Sequence, residues 1–111
     1  MDTWLAWHLS GGALHVTDHT NAAVTGLLTP DATAWSSRAC AALGVPDTML
    51  PALVNSSGLI GSATALPGAP PIAAMVGDQQ ASLIGQSCVS PGATKITFGT
   101  GGMLDVCLGT E

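Results

Sequence analysis

At 111 residues, 47% of them apolar and only 8% charged, the chain is long enough for one domain with a core but falls well short of the roughly 25% charge of an ordinary globular domain. The formal net charge is −5, and Arg38 and Lys95 are its only Lys or Arg residues, which excludes nucleic-acid binding, where several cationic phosphate contacts are needed, and a polybasic membrane anchor. No apolar run reaches the roughly 18–20 residues that span a bilayer, and no basic segment leads into an apolar core at the N-terminus, so the expected setting is the cytoplasm with no membrane partner.

Asp2-Thr3 precedes an apolar stripe of Trp4, Leu5, Trp7 and Leu9, and Gly11-Gly12 follows: an oxygen-bearing cap, a helical repeat and a glycine stop predict a short helix, with Trp4 and Trp7 packed into the core. Val16–Ala23 reads as a short strand or an ordered loop, in which Asp18, Thr20 and Asn21 hold the backbone through side-chain hydrogen bonds. Ala32–Leu43 reads as a helix, capped by Thr29 or Asp31 and stopped by Gly44 and Pro46. Pro51 and the run Asn55-Ser56-Ser57-Gly58 mark loops, and Gly58–Thr64 is a candidate strand.

After the turn-rich Pro67–Pro71, the apolar run Ile72–Val76 reads as a buried strand. Ala81–Gln86 has helical composition, so Gly77-Asp78-Gln79-Gln80 lies at a strand-to-helix junction. Pro91-Gly92 breaks the chain. Thr94–Phe98 alternates at period two, Gly99-Thr100-Gly101-Gly102 is a glycine turn, and Met103–Leu108 resumes strand-like residues, which predicts a β-hairpin. Lys95 and Asp105 read as exposed strand residues. Cys40, Cys88 and Cys107 are widely spaced and read as reduced thiols; His8, His15 and His19 form no metal-binding pattern with them.

Two constellations carry chemistry. Asp78 stands beyond a strand and at a helix start, where ligands of open α/β sheets bind and where negative charge is stabilised. A carboxylate there suits the proton removal that phosphoryl transfer to an alcohol requires, and the Gln79 amide suits neighbouring hydroxyl groups. A plain helix cap explains the same residues equally simply. Glycines at 99, 101 and 102 let backbone N–H groups form a nest for phosphate oxygens, with the Thr100 hydroxyl beside them. This is neither a Walker loop nor a dinucleotide fingerprint, and an ordinary hairpin turn accounts for it too.

Taken in order, the segments Asp2-Thr3-Trp4-Leu5, Leu9-Ser10-Gly11-Gly12, Val16–Ala22, Leu43-Gly44-Val45-Pro46 with Met49-Leu50-Pro51, Gly77–Ala81, Gly85-Gln86, Pro91-Gly92, Lys95 and Phe98-Gly99-Thr100-Gly101 resemble the glycerol kinases of the FGGY carbohydrate-kinase family. The resemblance covers essentially the whole chain. It implies an α/β fold, part of a two-domain ribonuclease-H-like (actin-like) kinase. Residues 1–90 would be the C-terminal part of the first domain and residues 91–111 the opening hairpin of the second. It implies Asp78 as the base that deprotonates glycerol and as a substrate contact, Gln79 as a ligand of the glycerol hydroxyls, and Gly99, Thr100 and Gly101 as contacts to ATP phosphates. Where the family often has an aromatic after that turn, Gly102-Met103 stand here. The family's Asp-x-Gly-Thr phosphate loop, its glycerol-gripping Arg-Glu pair and its adenosine-binding segment do not occur in these residues. Mg²⁺ would therefore be held mainly by other parts, and no metal ligand is expected here. The implied whole enzyme uses glycerol and ATP and is expected to be a homo-oligomer. The isolated segment is expected to be inactive and poorly soluble, since surfaces that the rest of both domains would cover are bare. A kinase of another polyol or sugar, and a non-catalytic remnant or interaction module, are the alternatives.

Overall fold

The computed structural model describes residues 1–109, which belong to two compact units, Met1–Val76 and Gly77–Glu111. In the first, helix α1 (Asp2–Leu9) begins after Met1, which offers no capping side chain. The Asp2 carboxylate instead accepts a hydrogen bond from the Thr17 hydroxyl at 2.5 Å, so it ties the helix to the next strand rather than capping it. Trp4 and Trp7 are not core residues: they are 60% and 45% exposed, Trp4 beside the His8 ring and Trp7 edge-on to His15. The buried positions of this stretch are the small Ala6 and Ser10, one turn apart, a face too narrow for an indole.

Strand β1 (Val16–Asp18) is buried throughout and pairs in parallel with β2 (Ala52–Val54). Of the strand or loop expected at Val16–Ala23, the first three residues are strand; β2 carries no sequence signal, because three residues between Pro51 and Asn55 are too few to display a period. Helix α2 (His19–Ala23) follows β1 directly, with Asp18 as its cap. Asp18 is fully buried and accepts five hydrogen bonds. Its Oδ1 accepts from the Asn21 N–H (3.1 Å) and Nδ2 (2.7 Å), and its Oδ2 from the Thr20 N–H (3.0 Å), the Thr20 hydroxyl (2.6 Å) and the Ser56 hydroxyl (2.6 Å). Burial pushes this carboxyl's pKa up, but the hydrogen bonds from Ser56, Thr20 and Asn21 outweigh it and hold the value at about 2. The loop-holding role expected of Asp18, Thr20 and Asn21 is present, with Ser56 as a partner from far along the chain.

Helix α3 spans Ser37–Leu43, shorter than the expected Ala32–Leu43. Ala32 lies in the left-handed region (φ 56°), which no helix accommodates, and residues 29–34 close a tight loop instead. Within it the Asp31 carboxylate accepts from the Thr29 hydroxyl and from the Thr33 N–H; these bonds lower its pKa. The cap is therefore Ser36, whose hydroxyl accepts from the Ala39 N–H, and neither Thr29 nor Asp31. The helix ends as expected at Gly44, whose φ of 67° suits a residue without a Cβ.

Strand β3 (Ser57–Ser62) pairs antiparallel with β4 (Pro71–Ala74), the register shifting between Ser57 and Gly61. The run expected to be a buried strand is thus a short, mostly exposed one, with a single neighbour among the described residues. The apolar core of the unit is made of small side chains: Ala6, Val16, Ala22, Cys40 and Ala63. All three cysteines are free thiols.

The second unit is helix α4 (Asp78–Gly85) with the hairpin β5 (Thr94–Phe98) and β6 (Gly102–Val106). The hairpin register pairs Phe98 with Gly102 and Lys95 with Asp105, leaving Gly99-Thr100-Gly101 as the turn. The face bearing Ile96, Phe98, Leu104 and Val106 is exposed, Phe98 to 87%. No helix among the described residues is long and apolar enough to cross a membrane.

Candidate active site

Gly77, in extended conformation, is the cap position of α4 and brings no capping side chain of its own. Asp78 is the first helical residue, exposed, and its Oδ1 accepts the N–H of Gln79 at 2.8 Å. A carboxylate at the first turn meets the positive end of the helix dipole, and its remaining lone pairs face solvent, free to accept a proton from a ligand. The strand-to-helix junction expected around Gly77-Asp78 is there.

Gln79 is half-buried and bound into the hairpin. Its side-chain Oε1 accepts from the Lys95 ammonium at 2.7 Å and from the Thr97 hydroxyl at 3.4 Å, and its main-chain carbonyl accepts from the same ammonium at 3.3 Å. Lys95 also forms an ion pair with Asp105 Oδ2 at 3.1 Å. The sequence reading of Lys95 as a solvated strand residue is wrong: it is 2% exposed. Asp105, read as exposed, is largely covered by the same ion pair. The reason is a reversed face. Along β5 the even positions Thr94, Ile96 and Phe98 turn outward, and the odd positions Lys95 and Thr97 turn toward Gln79. A buried ammonium is tolerable because two oxygens of Gln79 accept from it and a carboxylate balances its charge. This cluster was legible in principle. Counting outward from the turn sets Lys95 directly opposite Asp105, and opposite charges across an antiparallel pair attract.

Gly99, Thr100 and Gly101 form an exposed turn at the end of β5, closed by a 3.0 Å hydrogen bond from the Gly99 N–H to the Gly101 carbonyl. The structure therefore joins Gln79, Lys95, Thr97 and Asp105 through direct contacts. Asp78 neighbours this cluster in sequence, and the turn lies two residues beyond Thr97; among the described residues no hydrogen bond or ion pair links Asp78 to the turn.

Among the described residues no group of three His, Cys, Asp or Glu side chains comes together to hold a metal ion. A divalent cation would find one exposed carboxylate at Asp78, too few donors for a site of its own.

A family model described as the FGGY family of carbohydrate kinases, N-terminal domain, matches residues 1–85. The chain belongs to this family, and its α/β architecture is a stretch of the actin-like kinase fold. Its relatives are more particular. It is 50% identical to the glycerol kinase of Aromatoleum aromaticum over 91% of this chain and 21% of that protein. It is 45% identical to the glycerol kinase of Saccharopolyspora erythraea over 100% of this chain and 23% of the relative. The crystal structure of Plasmodium falciparum glycerol kinase with ADP matches with a TM-score of 0.82 at 31% identity, over 93% of this chain and 21% of that one. The chain thus spans about a fifth of the length of the proteins it matches.

Proposed function

We propose that the chain is a segment of an ATP-dependent glycerol kinase, converting glycerol to glycerol 3-phosphate, with Asp78 as general base. The observation that carries the reading is 50% identity, over nine-tenths of the chain, to a protein named as that enzyme. The exposed carboxylate at the head of α4, next in sequence to an amide bound into the hairpin, supplies chemistry that fits it.

In this reading Asp78 takes the proton of the terminal hydroxyl as its oxygen attacks the γ-phosphorus of ATP. The new O–P bond forms while the bond from that phosphorus to the β,γ-bridging oxygen breaks, and ADP leaves with the electron pair. Gln79 hydrogen-bonds the glycerol hydroxyls. Gly99, Thr100 and Gly101 offer main-chain N–H groups and a hydroxyl to the nucleotide phosphates. Mg²⁺ belongs with the nucleotide and is held mainly by residues outside this segment. Residues 1–90 form the end of the first kinase domain and 91–111 open the second, a boundary supported by a first-domain match that ends at residue 85. The enzyme works in the cytoplasm as a homo-oligomer.

Positioning and electrostatic stabilisation carry phosphoryl transfer, and one base with half a phosphate cradle provides neither in full. The 111-residue chain alone is therefore expected to give no ATP-dependent phosphorylation of glycerol in a coupled ADP-release assay. The full-length enzyme that carries it is expected to prefer glycerol over a panel of longer polyols and sugars. A higher kcat/KM for one of those would reassign the acceptor within the family. No turnover of any of them would favour a non-catalytic protein.

A further inference from the structure

We infer that Lys95 is a positioning residue that fixes the polarity of the Gln79 amide, so that this position offers the acceptor substrate hydrogen-bond donors only. The inference rests on the reading of Gln79 as a contact to the acceptor's hydroxyl groups. An ammonium has protons and no lone pair, so the amide atom 2.7 Å from Lys95 Nζ must be the oxygen. That settles which way the amide lies, a matter heavy-atom positions alone leave open. Both lone pairs of Oε1 are then engaged, one by Lys95 and one by the Thr97 hydroxyl. The Nε2 group has no partner among the described residues, and its two protons are what remains for a ligand.

The lysine cannot swing away cheaply. It is 2% exposed, paired with Asp105, and bonded as well to the main-chain carbonyl of Gln79 in the first turn of α4. Leaving that turn would strand an ammonium and a carboxylate away from water. A glutamine anchored in this way reads an oxygen lone pair. It selects an acceptor hydroxyl whose own proton points elsewhere, leaving the Asp78 carboxylate to take a proton from a neighbouring hydroxyl.

The test is steady-state kinetics on the full-length enzyme with glycerol and ATP. The paired variant Lys95→Met/Asp105→Leu removes both buried charges together, so neither is orphaned. It is expected to raise the KM for glycerol by about tenfold while the KM for ATP stays within about twofold, the split of a lost acceptor contact. Added to Gln79→Ala, the pair is expected to change nothing further, because both act through one amide. Effects that multiply, or an unchanged glycerol KM in the paired variant while Gln79→Ala raises it, overturn the inference and leave the contact role of Gln79 standing. An unchanged glycerol KM in Gln79→Ala itself removes that role and the inference with it. Should the paired variant fail to fold, Gln79→Glu tests the polarity with Lys95 intact: its carboxylate keeps the lysine contact but has no N–H to give. It is expected to match Gln79→Ala, and wild-type glycerol affinity in Gln79→Glu overturns the inference.

Discussion

Asp78→Asn in the full-length enzyme is expected to lower kcat by about a thousandfold or more while the affinity for ATP stays within about twofold of wild type. The two side chains have nearly the same shape, and Asn can still accept the Gln79 N–H, so the first turn of α4 is preserved. What is lost is the capacity to take a proton, because an amide is not a base near neutral pH. The carboxylate is exposed and, among the described residues, its one hydrogen bond is local, so the substitution removes no packing. Rapid-mixing measurement of the chemical step, with ATP binding followed separately, distinguishes the outcomes. A variant that keeps a tenth or more of the wild-type rate limits Asp78 to holding the first turn of α4.

Replacing Asp18 is expected to have the largest effect on stability. Asp18→Ala takes the one fully buried acceptor away from the part-buried Ser56, Thr20 and Asn21 donors, at a cost of about 3 kcal/mol, read as a lower urea midpoint. The same carboxylate makes stability depend on pH. Its folded pKa of about 2 lies below the ordinary 3.8, so its contribution is whole above the ordinary value and fades as pH falls through the folded one. Between about pH 5 and pH 2 the chain is expected to lose about 2 kcal/mol through this group, and Asp18→Asn is expected to flatten that slope. An unchanged slope would mean that Asp18 is not the group being titrated.

Much of this molecule was readable without coordinates where the signal is local. Gly77 followed by an acidic residue marks the start of α4, and the alternation of Thr94–Phe98 before a glycine cluster marks the hairpin. The reading failed where a partner lies far along the chain or where a face is inverted. Ser56 reaches Asp18 across 38 positions, and nothing in either neighbourhood announces the bond. The helix expected from Ala32 lost its first turns to a loop organised by Asp31, because propensity yields to a side chain that satisfies the backbone another way. Hydrophobicity alone puts Ile96 and Phe98 inside and Lys95 outside. The hairpin does the opposite because Gln79 and Asp105 offer an ammonium better partners than water does.

A centre assembled from alanines, one valine and one thiol also has a calorimetric signature. The heat-capacity increment of unfolding grows with the hydrocarbon surface that becomes hydrated, and side chains this small bring little of it. The stretch Met1–Val76 is expected to fall below the usual ~12–15 cal/mol/K per residue and to trace a shallow stability curve, nearly level on cooling and broad on heating. The five bonds to one aspartate then count for more than they would beneath a core of large side chains.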